Sequence, residues 1–273
     1  MEHSRDTHFA AKVRTRIWEE VADPVNPYLA SGARCHGYAL EDMVEQLDFA
    51  DTLFLLLRGE LPSAIDARLL QRFLVAFCNP GPRHAATRAV MNAAASGTRS
   101  PSLAAIGLTV LGGDHLGSGE VERCMRFIAR HRDTDPQALA TTLSAAAATP
   151  GDTRIAPGFG TLFGDIDSFA EELATLFCAT TNQSGALGWA SRFATALHPV
   201  GSGWLVPGVV AAIASELGFG AAAGGMLYQL ASLPGLMAHG LEMAGQGISA
   251  MPFIPDQHYT LLAPGTPPPE TLE

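Results

Sequence analysis

The chain has 273 residues, 47% of them apolar and only 16% charged, with 27 acidic side chains against 17 basic ones and a net charge of −10. That length can bury a large core, in one large domain or two smaller ones. An acidic balance without a basic cluster argues against nucleic-acid binding, and so little charge on so apolar a chain points to surface buried against a partner chain. The N-terminal residues Met1–His8 are polar and lack the apolar run of a signal peptide. Cys35, Cys78, Cys124 and Cys178 are widely spaced with no Cys-x-x-Cys pair, and read as reduced thiols of a cytoplasmic protein.

Helical periodicity dominates, and alternating runs of β-branched and aromatic residues are hard to find. Residues 41–57 predict two short helices broken near Asp48, the second stopping at Gly59. A helix follows Pro62-Ser63, with Leu69, Leu70, Phe73, Leu74 and Phe77 on one face, and ends at Asn79-Pro80-Gly81-Pro82. Further helices are expected at about 84–96, 102–111, 118–132 and 136–147, then 166–180, 184–197, 208–217 and 221–245, with a Pro- and Gly-rich loop over 149–164. Leu217–Ala238 carries no charge and is long enough to span a bilayer, but its glycines and Pro234, without basic flanks, favour a helix hidden inside a globular protein. The tail from Pro264 has the composition of a mobile segment. The fold class is all-α.

No phosphate-cradling loop, dinucleotide fingerprint, nucleophile elbow or HExxH motif occurs. The most informative stretch is Leu111-Gly-Gly-Asp-His-Leu-Gly-Ser-Gly-Glu120, where four glycines surround Asp114 and His115. Glycines allow a turn and close approach of a ligand, so the imidazole could exchange protons with a small molecule at a cleft. The same residues also fit a helix-capping Asp beside a surface His. Arg83 and His84 open a helix, an end that favours anions, and suit a carboxylate or phosphate pocket; a polar, solvated helix start fits them equally. His239 and Glu242, three apart on a helix, read as a hydrogen-bonded pair in preference to a metal site.

Four segments in order resemble the citrate synthase superfamily, in particular its short citryl-CoA lyase branch, related to the C-terminal part of ATP-citrate lyase. Cys35-His36-Gly37-Tyr38 with Phe49–Pro62 is similar to the family's RGYDI…GELP opening. Asn79–His84 leading to Gly112–Glu120 resembles the segment ending in GPLHGGA. Ala156-Pro157-Gly158-Phe159-Gly160 is similar to PGYGH, and Gly235–Glu242 to GWxAHWxE. The resemblance implies a citrate synthase-like helical fold in which a small domain (residues 118–207) closes over a cleft in a large one (1–117 and 208–263), the chain ending in a tail (264–273).

It further implies a homodimer that makes or breaks a C–C bond between an acyl-CoA and an oxo-acid, using no bound cofactor beyond the coenzyme A thioester. In that scheme His115 polarises the carbonyl and Asp114 orients it or acts as base. Arg83, His84 and His239 hold substrate, and Pro157, Gly158, Phe159 and Gly160 contact coenzyme A. No metal, nucleic acid or membrane enters. Several family positions are altered. Thr161 stands for a histidine, Pro80 for another, and Ser232 for an arginine; Leu205-Val206-Pro207 carries no base carboxylate, and no arginine follows Gly164–Asp167. Burying a tricarboxylate without those arginines costs several kcal/mol or more, so citrate turnover by the family's usual route is not expected. Arg192 and His198 are further candidates with structural or surface readings. The alternative is an inactive relative that serves as a ligand-binding or partner subunit.

Overall fold

The computed structural model describes residues 10–146, 154–181 and 183–265; the readings of Met1–His8 and of the tail beyond Gly265 lie outside them. The chain divides into two compact units, residues 1–68 and 69–273.

The first unit opens with a sheet that periodicity did not foretell: β1 (Trp18–Ala22), β2 (Ala30–Cys35) and β3 (Tyr38–Ala39), antiparallel in that order. Trp18 pairs with Cys35 and Arg34 with Ala39. β1 is solvent-exposed throughout, so no apolar alternation marks it. The Cys35–Tyr38 motif is the turn between β2 and β3, its two central residues His36 and Gly37 both left-handed (φ 47° and 93°), as a two-residue hairpin requires. α1 (Leu40–Gln46) and α2 (Phe49–Arg58) follow, broken as expected at Asp48, whose carboxylate accepts the Asp51 N–H at 2.8 Å. Gly59 ends α2 in the left-handed region. Cys35, Met43 and Leu55 form this unit's small core.

The division falls within α3 (Ala64–Ala76). The second unit continues with α4 (Ala85–Ala95), α5 (Ser100–Leu111), α6 (Ser118–His131), α7 (Pro136–Ala146), α8 (Ser168–Cys178), α9 (Ala186–Leu197), α10 (Val206–Glu216) and α11 (Ala221–Gln246). These bounds lie close to those expected from periodicity. α11 packs on α4, α5 and α6, while α10 packs on α6, α8 and α9. α10 is enclosed, with Val209 to Ala214 fully buried. Among the described residues no single helix is long and apolar enough to cross a membrane; the pair α10–α11 has the length and composition but bends by 120°.

The expected loop over 149–164 instead contributes β4 (Arg154–Ala156) and β5 (Phe159–Gly160), which form a second sheet with β6 (Gly203–Trp204). Behind it Phe159 meets Phe193 and Trp204 at 4.9 Å between ring centroids, in a cluster that also holds Phe127 and Trp189. Small residues of α11 serve packing within the chain: a Cβ on Gly235 would sit 2.5 Å from the Asn79 Cα, and the Gly235 N–H bonds the Cys78 carbonyl at 2.8 Å. Pro234 lacks an N–H, so this turn of α11 is already open, and it docks the Asn79–Pro80 corner.

Candidate functional site

A cavity of about 390 Å³ lies within the second unit. Its walls are mostly apolar, formed by Phe77, Pro80, Leu116, Leu162, Phe169 and Val206, with Asn79, Arg83, His84, Asp167, Tyr228 and Ser232 as polar members. That size suits a small organic ligand.

The corner that carries Arg83 and His84 is built by local hydrogen bonds. Asn79 Oδ1 accepts the Gly81 N–H at 2.9 Å, and the His84 N–H bonds the Gly81 carbonyl at 3.2 Å. His84 then caps α4, its Nδ1 accepting the Ala86 N–H at 3.1 Å. Nε2 therefore carries the ring proton, and it lies 3.2 Å from the Leu116 carbonyl, to which it donates. Both nitrogens are occupied. His84 thus lines the cavity as a neutral structural ring, and Arg83 is the side chain of this pair left to meet an anion.

Burial pushes the His84 ring's affinity for a second proton below the ordinary value near 6.5; the Leu116 carbonyl opposes this, and the charges of Arg88 and His115 add to it. The unfolded chain therefore protonates His84 at higher pH than the folded protein does, so this contribution to stability is complete above pH 6.5 and declines as pH falls below it. The melting temperature is expected to drop between about pH 7 and pH 5, and His84→Asn, which can still cap α4, to flatten that slope. Equal slopes in a calorimetric pH series would refute this role.

Leu116 is the hinge of the glycine-rich loop. It holds a left-handed backbone (φ 56°), rare for a side chain of its kind, with both backbone polar groups engaged. Its carbonyl faces His84, and its N–H donates to Glu120 Oε2 at 2.8 Å. Glu120 is fully buried and is the residue that sequence reasoning missed. Arg154 grips it with a fork, Nε to Oε1 at 2.6 Å and Nη2 to Oε2 at 3.0 Å, and the Gly158 N–H adds a bond to Oε1 at 3.2 Å. One carboxylate thus ties the 112–120 loop to the β4–β5 hairpin. A signal was present: Glu120 shares the helix face of Val121, Cys124 and Ile128, all buried. Burial and the Glu120 charge both push the Cys124 thiol and the Tyr228 phenol upward, so Tyr228 keeps its proton at neutral pH.

The other expected site residues lie apart from this cavity. His115 is exposed on the loop and outside the lining, although its neighbour Leu116 is part of it. Asp114 is exposed and turned to Arg123, which bonds its carboxylate at 2.8 Å and its carbonyl at 2.8 Å. His239 Nδ1 stands 4.0 Å from Glu242, too long for a hydrogen bond, and its Nε2 is buried without a partner. Pro157 is half-buried, whereas Gly158, Phe159 and Gly160 are enclosed, with Gly158 against Gly208 and Cys124. Of the further candidates, His198 bonds Glu171 at 3.1 Å and Arg192 reaches the Gln183 carbonyl at 3.4 Å, while Thr161 lies next to the wall residue Leu162. Among the described residues no group of three His, Cys, Asp or Glu could hold a metal ion.

No family model and no curated protein matches this sequence. Solved structures do match. Citryl-CoA lyase from Hydrogenobacter thermophilus superposes with a TM-score of 0.73 at 24% identity, over 94% of this chain and 96% of that one. The chain has the citrate synthase-like fold. ATP citrate lyase from Methanothrix soehngenii, solved with citrate and coenzyme A, matches at a TM-score of 0.73 and 14% identity over 96% of this chain and 43% of its own. Citrate synthase from the archaeon Thermoplasma acidophilum, solved with carboxymethyl coenzyme A and oxaloacetate, matches at 0.60 and 17%, over 79% and 57%. Within this fold, Pro80 and Ser232, where the resemblance expects a histidine and an arginine, line the cavity, and of the Leu205-Val206-Pro207 stretch Val206 does so too.

Proposed function

We propose that the chain is a citryl-CoA lyase-like or citrate synthase-like enzyme, making or breaking a C–C bond between an acyl-CoA and an oxo-acid in an altered site. One observation carries this reading. Segments far apart in the sequence, Asn79–His84, Leu116, Leu162 and Ser232, converge on one cavity, and each lies in or beside a stretch that resembles the family. Arg83 would hold the carboxylate of the oxo-acid and the protonated Tyr228 would donate to its carbonyl. His115, next in the chain to the wall residue Leu116, would polarise the thioester carbonyl from outside the lining. Asp114 would act as orienter or base only after release from Arg123. Coenzyme A would meet the half-buried Pro157 edge of the β4–β5 hairpin, since Gly158, Phe159 and Gly160 are enclosed. Residues 118–207 would form the smaller domain, two copies would assemble as a dimer, and four unpaired thiols suit the reducing cytoplasm.

The test incubates the full chain with citryl-CoA, or with acetyl-CoA and a panel of oxo-acids, following oxaloacetate, free thiol and new thioesters by mass spectrometry. Turnover of at least one pair of acetyl-CoA and oxo-acid is expected, and His115→Ala should slow it by about a hundredfold or more. A rate indifferent to His115 removes it from the chemistry. The second reading, an inactive ligand-binding subunit, is favoured by Pro80 and Ser232 on the wall and by Leu205-Val206-Pro207 beside it, which lack the imidazole, guanidinium and base carboxylate that the resemblance expects. Ligand binding with no product from any pair would establish that reading in place of the first.

A further inference from the structure

The walls of the cavity define a ligand class, and this step rests on the proposed enzymatic reading only for the 2-oxo group. We infer that the cavity takes a 2-oxo acid with a single carboxylate and a branched or aromatic apolar tail, in place of a di- or tricarboxylate. Charge decides first. Of the two basic residues in the lining, His84 has both ring nitrogens occupied, so Arg83 alone can pair with a carboxylate. The single acidic wall residue, Asp167, has Oδ1 engaged in capping α8, accepting from Phe169 and Ala170 at 3.1 and 3.2 Å. A second carboxylate on the ligand would find this anion and no further cation, and an uncompensated charge in an apolar site is strongly disfavoured.

The apolar walls decide next. Leu116, Leu162, Val206 and Phe77 offer hydrocarbon where a polar ligand would need donors. Phe163, 95% exposed and left-handed (φ 52°) in the tight Leu162–Asp165 turn, and Phe169, 58% exposed, stand among the lining residues with apolar faces a ligand tail could cover. Ser232 is fully buried, yet its hydroxyl has no hydrogen-bond partner. That hydroxyl lies just behind the wall surface, and a neutral ligand oxygen reaching it would supply the partner it lacks. Tyr228 lies one helical turn before it on the same face of α11, which places two neutral polar side chains together for a carbonyl.

Calorimetric titration of the full chain with 4-methyl-2-oxopentanoate, phenylpyruvate, pyruvate, oxaloacetate and citrate tests this. The two tailed acids are expected to bind at least about tenfold more tightly than oxaloacetate or citrate. Arg83→Gln and Ser232→Ala should each weaken them by about tenfold. Ser232→Ala should leave the melting temperature unchanged or raise it, because it removes an orphan hydroxyl. Tighter binding of oxaloacetate or citrate, no binding of either tailed acid at millimolar concentration, or affinities untouched by both substitutions would overturn the assignment. Tailed acids that bind but give no C–C product with acetyl-CoA would keep the ligand class and overturn the enzymatic reading. Turnover of oxaloacetate without binding of the tailed acids would do the reverse.

Discussion

Replacing Glu120 by alanine is expected to cost about 3–5 kcal/mol of unfolding free energy, the scale for breaking a buried ion pair. The substitution removes the buried carboxylate that the Arg154 guanidinium, 17% exposed, is paired with, and the acceptor for the Leu116 and Gly158 N–H groups. It also leaves a void beside Cys124 and Tyr228, whose thiol and phenol feel the Glu120 charge. The melting temperature should fall by roughly 6–20 °C, read by calorimetry. Glu120→Gln should cost less, since its amide oxygen still accepts one of the N–H groups. A loss under about 1 kcal/mol for the alanine variant would mean that the network contributes little to the fold.

The second large effect is expected at the contact of the β4–β5 hairpin with α10. Gly158 is left-handed (φ 78°), and a Cβ there would lie 2.6 Å from the Gly208 Cα and 2.7 Å from Cys124 Sγ. The reverse approach is as tight, since a Cβ on Gly208 would run into the Gly158 carbonyl oxygen. That oxygen is already engaged, accepting the Leu205 N–H at 3.0 Å. Gly158→Ala therefore combines a left-handed penalty of about 1–2 kcal/mol with overpacking of about 1–3 kcal/mol, together about 2–5 kcal/mol. Gly208→Ala should destabilise without the backbone part, and the pair should cost less than the sum because both strain one contact. Urea midpoints of the three variants check this, and strict additivity would show that the two glycines do not share a contact.

These two networks explain why the helices were legible in the sequence and the site largely was not. Helix starts and stops are local: Asp48 caps α2 through Asp51 three residues on, and Gly59 ends it by turning left-handed. Such signals need no knowledge of what lies across the core. The first sheet was missed because β1 and most of β2 bury little, so neither the apolar face nor the alternation that marks a strand is present. Its one local mark is the His36-Gly37 turn, which lies within the family-like opening motif. In the site, Arg83 and His84 both line the cavity, but their division of labour depends on Leu116, 32 residues from His84. Glu120 ends the most informative stretch of the chain, yet its partners Arg154 and Gly158 lie 34 and 38 residues away.

By itself, then, the amino-acid order determined the helical class, the helix boundaries and the resemblance that names the fold, because capping, periodicity and proline stops act within a few residues. Only the tertiary structure decided which side chains face the cavity. It set Asp114 against Arg123, used up both nitrogens of His84, enclosed Phe159 in an aromatic cluster, and gathered Pro80, Val206 and Ser232 around one space. The physical reason is that a buried polar group is fixed by whichever partners satisfy it, and those partners are brought near by packing between distant segments and not by spacing along the chain.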